Sequence, residues 1–364
     1  MRRLARIICL SFFLLGIGWQ TAAAAEDDSA EEPVLPAGFA APESFEQAKI
    51  LKYAWYGRLA DFADVYAEPS LSAEIVRNVG DGYLFSTLIS EIESEGHQWY
   101  QINTNEYVLA ENVTISQPSD FQGVQVTEQP KNSFGWIVSG HVRPSLEPGG
   151  EPHPEHDRMF RYDFIEVLEA VQVKSEDETW IWYRVDDDKW VRQTEVSLVD
   201  VTPAHVDIPD DAFWVEIDLY EQTVAAYEGD RLVYATLVSS GLNRWPTGEG
   251  LFQVSDRFES VKRSGAEGKI DYYFIEEVPY TMFFDMKTEI ALHGAYWHDN
   301  FGYKASHGCV NLPPQDSEWL FFWSEGYDDD LWVYVHTSDP RRIFMPPVEE
   351  LLELNKNAIR RLMQ

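Results

Sequence analysis

Two short stretches hold side chains able to do covalent chemistry: Ser306-His307-Gly308-Cys309-Val310-Asn311, and His293-Gly294 upstream. Cys309 is the only cysteine outside the first 25 residues; the other is Cys9. A thiol attacks carbonyls as the thiolate, so a nucleophilic cysteine needs a neighbouring base or a positive field. His307 stands beside the sulfur and His293 precedes it by 16 residues, so a hairpin would bring either alongside. Gly308 permits a tight turn ahead of the sulfur, which would aim the amides of Gly308 and Cys309 at a developing oxyanion. The plainer alternative makes Cys309 a small buried hydrophobe and the histidines surface residues.

The hexapeptide resembles the Ser/Thr-His-Gly-Cys-x-Asn/Arg signature of the L,D-transpeptidase (YkuD) family of cell-wall enzymes, in which a His-Gly pair also precedes the cysteine. The likeness runs from about Phe213 to His336. It implies that Cys309 attacks the carbonyl joining the third residue of a peptidoglycan tetrapeptide stem, a diamino acid at its L-centre, to D-Ala. D-Ala leaves, and an amine of another stem takes the thioester to give a 3→3 cross-link. By the same resemblance His293 is the general base, and His307 orients the turn or the substrate. Gly308 and Gly294 serve the oxyanion and its surroundings, while Ser306 and Asn311 hold backbone. Tyr280 and Arg263 are the expected substrate-binding residues. Ala295 follows Gly294 where many relatives place a hydroxyl, so a backbone carbonyl would have to orient His293. The resemblance also implies acylation of Cys309 by carbapenem-type β-lactams, and neither a cofactor nor a metal.

Three rivals remain at this stage. With water as acceptor, the same site is an L,D-carboxypeptidase. A metal site could be drawn from His293, His298, His307 and Cys309, although one residue between His307 and Cys309 is not common zinc spacing. The chain could also be a wall-binding adaptor with a decayed catalytic domain, against which the retained Cys309 argues.

The elements that must position these residues read as mainly β. Trp214-Val215-Glu216-Ile217-Asp218-Leu219 alternates with period two, as an antiparallel strand does. Gln222 to Tyr227, Glu228-Gly229-Asp230 and Leu232-Val233-Tyr234 give strand, turn, strand. Pro279 to Phe284 reads as a buried strand, Ile290-Ala291-Leu292 delivers His293 at a strand end, and Tyr296 to Lys304 loops back to Ser306. Pro313-Pro314 introduces a helix from Gln315 to Trp323 with Asp316 and Glu318 in its first turn, and Leu331 to Val335 is a closing strand. Lys262, Arg263 and Lys269, flanked by Gly265 and Gly268, read either as a mobile lid for substrate carboxylates or as a solvated loop.

Ahead of these elements lies an internal repeat. Trp99-Tyr100-Gln101-Ile102, Tyr107-Val108, Val113 and Ile115 recur as Trp182-Tyr183-Arg184-Val185, Trp190-Val191, Val196 and Leu198, always 83 residues on. The pattern resembles bacterial SH3-like barrels, which implies wall or peptide binding through aromatic grooves; the alternative is that Trp and Tyr fill small cores and the barrels act as spacers. Trp99 and Trp182 are both expected inside. His141, His153 and His156, around an insertion from Pro144 to Arg158, read as a solvated loop.

The domain reading is a signal peptide over 1–25, an acidic linker over 26–50 ending in a short helix from Glu43 to Leu51, and SH3-like repeats over 51–117 and 118–205. The catalytic domain follows over 212–337, an L,D-transpeptidase-type β-sandwich, and then a C-terminal helical tail over 338–364. Arg2, Arg3 and Arg6, the apolar run Ile7 to Leu15 and the Ala22 to Ala25 cluster read as an export signal. The run is too short for a comfortable membrane span. The protein is therefore expected outside the cytoplasm, in the periplasm or cell wall, with peptidoglycan stem peptides as partners. Removing residues 1–25 leaves 25 basic against 62 acidic residues and takes the formal charge from −34 to −37. Such a surface repels nucleic acid.

Overall fold

The computed structural model describes residues 35–43, 55–174, 179–265, 272–326 and 331–338. The signal, most of the linker with its short helix, Lys269 and the C-terminal tail helix lie outside these residues. Among the described residues, no helix is long and apolar enough to cross a membrane.

Two seven-stranded sheets carry the fold. The first runs Phe39–Ala40, Val124–Val126, Arg231–Leu237, Thr223–Glu228, Phe213–Asp218, Trp332–His336, Gly250–Gln253. The second runs Val310–Leu312, Ile290–Gly294, Tyr273–Asp285, Tyr83–Thr87, Tyr56–Leu59, Val113–Ile115, with Asp256–Gly265 also paired to Tyr273–Asp285. Lys262 and Arg263 thus sit on a strand paired along Tyr273–Asp285, a correction to the loop reading.

Alternation decides which side chains meet between the sheets. Val215 and Ile217 join Met282, Leu292, Val310 and Leu312 in one core, and helix Pro314–Trp323 closes it with Trp319 and Leu320. The intervening residues of Phe213–Asp218 do not face water. Trp214 stacks on Tyr227 with ring centroids 4.1 Å apart, in a second core that holds Phe134 and Trp136 of the preceding repeat. Glu216 is buried there and is satisfied by Tyr227 Oη at 3.2 Å and His336 Nε2 at 2.6 Å. A strand that reads as having one wet face is therefore dry on both.

The 83-residue repeat survives in three dimensions. Tyr100 pairs with Val108 and Gln101 with Tyr107; Tyr183 pairs with Val191 and Arg184 with Trp190. Register slips between Gln101 and Asn103, and again between Arg184 and Asp186. Ala110–Asn112 and Gln193–Glu195 form matching single 3₁₀ turns. In each copy a first strand (Tyr56–Leu59 or Phe134–Ile137) pairs with both a middle and a last strand. One expectation fails: Trp99 is fully buried, but Trp182 is only half-buried. Trp99 packs edge-on against Tyr66 at 5.3 Å, and 83 residues on from Tyr66 stands Gly149, inside the insertion, which offers no ring.

The repeats are also hydrogen-bonded into the C-terminal strands of the two large sheets. Val124–Val126 pairs with Arg231–Leu237, and Tyr83, Leu84 and Phe85 lie parallel to Tyr273, Phe274 and Ile275.

Candidate active site

Cys309 and His293 are brought together by adjacent parallel strands. Leu292 pairs with Val310 and His293 with Asn311, so the pleat turns Leu292, Val310 and Leu312 into the core. His293, Cys309 and Asn311 take the opposite face and line a cavity of about 580 Å³. Ser306 and His307 line the same cavity, as does Arg263.

Gly308 has φ of +124°, a conformation that side-chain-bearing residues rarely adopt, and it sets up the turn before the sulfur. The turn is tied from inside. The Gly308 amide donates to Ser306 Oγ at 3.0 Å, Ser306 Oγ donates to the Cys309 carbonyl, and Thr247 Oγ1 donates to the Gly308 carbonyl at 2.7 Å. This corrects the expected oxyanion role of the Gly308 amide, which is occupied within the turn. The Cys309 amide makes no hydrogen bond among the described residues. Gly294 serves packing: a Cβ there would stand 2.5 Å from Ser317 Oγ and 2.8 Å from Pro279 Cγ.

The sulfur itself is half-buried. Its thiol points at the Glu289 carbonyl, 3.8 Å away, and Arg263 Nη2 lies 3.6 Å from Sγ while donating to that same carbonyl at 2.8 Å. A guanidinium at this distance favours negative charge as it develops on sulfur.

His293 is buried, and burial is the largest cause pulling its imidazole down to about 3, with Arg263 and His298 adding in the same direction. The ring is therefore neutral at pH 7. Nδ1 lies 3.1 Å from the Gly294 carbonyl, which can only accept, so Nδ1 carries the proton and Nε2 is the free base. A backbone carbonyl thus orients the ring where Ala295 offers no hydroxyl. His307 is exposed and lies between Trp245 and Tyr273, at centroid distances of 3.9 and 5.1 Å. That placement suits a positioning residue.

Asn311 is held by backbone bonds to Ser239 in both directions, at 2.9 and 3.0 Å. Its carboxamide lies 2.8 Å from His298 Nε2. His298 Nδ1 accepts from the Asn300 amide at 3.1 Å, which puts the proton of the neutral ring on Nε2, beside the Asn311 carboxamide. Burial pulls His298 down to about 4, so it too is neutral. Among the described residues no group of three His, Cys, Asp or Glu could hold an ion.

Tyr280 is not at the cavity. It is 1% exposed, sits in the core beneath, and donates its hydroxyl to Glu318 at 3.1 Å, so its expected substrate contact is corrected to a packing role. Arg244, Trp297, Arg58 and Tyr83 line the cavity without having been singled out in the sequence. The signal for the arginines was a cation in a very acidic chain, but nothing local separates them from other surface arginines.

Residues 212–339 match the YkuD family, the L,D-transpeptidase catalytic domain. The protein named "Putative L,D-transpeptidase YciB" of Bacillus subtilis is 28% identical over 149 residues, which are 36% of this chain and 73% of that protein. Among solved structures, the catalytic domain of an E. faecium L,D-transpeptidase is 28% identical, covering 35% of this chain and 98% of that one, with a TM-score of 0.31. An L,D-transpeptidase from Mycobacterium smegmatis is 14% identical, covering 61% and 94%, with a TM-score of 0.32. Taken with the cysteine site on its paired strands, the match makes residues 212–339 a YkuD L,D-transpeptidase catalytic domain.

Proposed function

We propose that the protein is an exported L,D-transpeptidase that forms a thioester between Cys309 and a peptidoglycan tetrapeptide stem. The observation that carries this reading is the register that sets Cys309 and a neutral, Nδ1-anchored His293 on one face of adjacent strands. Sγ attacks the carbonyl between the diamino acid and D-Ala while its proton passes to His293 Nε2. The Cys309 amide supports the oxyanion, a contribution on the order of 3 kcal/mol per donor. On collapse the C–N bond breaks, D-Ala leaves with the proton from His293, and the acyl group stays on sulfur. An acceptor amine then attacks the thioester, His293 takes its proton, and the thiolate is released to be reprotonated. Arg263, beside the sulfur, meets a substrate carboxylate. The SH3-like repeats contact the wall, and the protein works in the periplasm or cell wall.

Intact-mass measurement with a tetrapeptide stem tests this. Wild type should gain the tripeptide acyl mass, and an added amine should discharge it as the cross-linked product. Cys309→Ala should fold and gain nothing. Discharge to water alone would make the activity that of an L,D-carboxypeptidase, and acylation of the alanine variant would place the nucleophile elsewhere.

A further inference from the structure

The catalytic cavity is not lined by the catalytic domain alone. Arg58, Gly82 and Tyr83 of the first repeat form part of its wall. The contact that puts them there is built. Tyr83, Leu84 and Phe85 extend the catalytic sheet through the parallel pairing with Tyr273, Phe274 and Ile275. Tyr56 stacks on Tyr296 with centroids 3.6 Å apart and planes 10° apart. Ser86 Oγ donates to Glu276 at 2.6 Å, Thr87 Oγ1 to Glu277 at 2.7 Å, Ser116 Oγ to the Tyr296 carbonyl at 2.7 Å, and Tyr83 Oη to the Trp297 carbonyl at 3.3 Å.

The charge of the cavity opposes that of the chain. Acidic residues outnumber basic ones 62 to 28 overall, yet among the described residues the cavity is lined by three arginines, Arg58, Arg244 and Arg263, and by one carboxylate, that of Glu289. His293 and the half-buried His298 of the wall are neutral and add no charge. Arg58 is exposed, forms no ion pair among the described residues, and is steadied by the Tyr83 ring, 5.4 Å from its guanidinium carbon. An arginine held at a cavity wall without a protein carboxylate presents its fork to a carboxylate of the ligand.

We propose that the first repeat is a working part of the active site and that its Arg58, with Arg263, selects donor peptides carrying free carboxylates upstream of the scissile bond. This rests on the stem-peptide reading above, and deepens it: Arg58 is a specificity-determining residue that a catalytic domain alone would lack.

The test uses the full chain and two tetrapeptide donors that differ only at the non-terminal carboxylates, free acids in one and carboxamides in the other. Acylation is followed by intact mass for wild type, Arg58→Ala, Arg58→Lys and Arg58→Glu. Alkylation by neutral iodoacetamide reports whether the thiol and the fold are intact. For the acid donor, KM should rise about tenfold in Arg58→Ala and further in Arg58→Glu, stay within about threefold in Arg58→Lys, and kcat should hold within about twofold. The carboxamide donor should be indifferent to all three variants, and the alkylation rate should not move. Equal losses on both donors would reduce Arg58 to a structural role, and an unchanged acid donor would remove it from the site; either overturns the inference while the stem-peptide reading stands. Failure of wild type to form an acyl-enzyme with either donor would overturn that reading, and this inference with it.

Discussion

At the scale of single residues, the site works through what burial does to two histidines and what one arginine does to sulfur. His293 is held neutral far below the usual imidazole range, so protonation of the free enzyme at His293 is only half complete at about pH 3. The acid limb of kcat/KM for acylation, which reports the free enzyme, should therefore fall below pH 5. A limb centred near 6.5 that persists in His293→Ala would remove His293 as the base; one that disappears in that variant would show that burial does not depress its imidazole. His293→Ala should slow acylation at least a hundredfold. His307→Ala should keep the wild-type pH profile, with a smaller rate loss and about 1 kcal/mol of stability lost with its two ring contacts. Acylation by a carbapenem, followed by mass at each pH, reads both variants without needing an acceptor.

At the scale of elements, helix Pro314–Trp323 is what holds the histidine strand in place. Gly294 lies so close to Ser317 and Pro279 that Gly294→Ala must push strand and helix apart, at about 1–3 kcal/mol, and denaturant midpoints should show that loss. Asp316 binds the same helix to its surroundings. It is fully buried and accepts from Tyr234 Oη at 2.6 Å, the Gly123 amide at 3.0 Å and Thr236 Oγ1. Burial raises its carboxyl from 3.8 to about 7, outweighing those donors. Between these values the native state holds a proton that the unfolded chain has released, so this group's stabilisation is present below pH 4 and is lost as pH rises through 7. Asp316→Asn keeps the acceptor oxygen and does not titrate. Relative to wild type, its stability should improve by on the order of 2–4 kcal/mol between pH 4.5 and pH 8 in urea titrations. His293 and His298 titrate in both proteins and cancel from the difference. A constant difference across that range would show that Asp316 is ionised in the fold throughout.

At the scale of the whole molecule, the repeats and the catalytic domain share sheets and a core. Val124–Val126 completes one catalytic sheet, Tyr83–Thr87 continues the other, and Phe134 and Trp136 pack with Trp214. Separating them would open two sheet edges and expose a large apolar face. Calorimetry of the full chain should therefore show one endotherm; two well-separated ones would mean that the repeats and the catalytic domain unfold independently.

What the sequence determined by itself was local. The hexapeptide around Cys309, the period-two strands, the helix start at Pro313-Pro314 and the 83-residue repeat are all patterns of neighbours, and short-range sterics and alternation make such patterns legible. The sequence placed His293 at a strand end and expected a hairpin to carry it to Cys309, whereas the strands are parallel and pair His293 with Asn311. Other features were decided only when distant segments met. Asp316 reads only as a first-turn acid of the helix and is buried because Gly123 and Tyr234 meet it. Tyr280 reads as a substrate contact and faces the core because the pleat turns it there. Gly308 reads as an oxyanion donor and spends its amide on Ser306. Arg58 stands about 250 residues from Cys309, and only the parallel pairing of Tyr83, Leu84 and Phe85 with Tyr273, Phe274 and Ile275 carries it to the cavity. Parallel strands so far apart in the chain have no turn between them to mark their register, so that half of the site was invisible until the sheet closed.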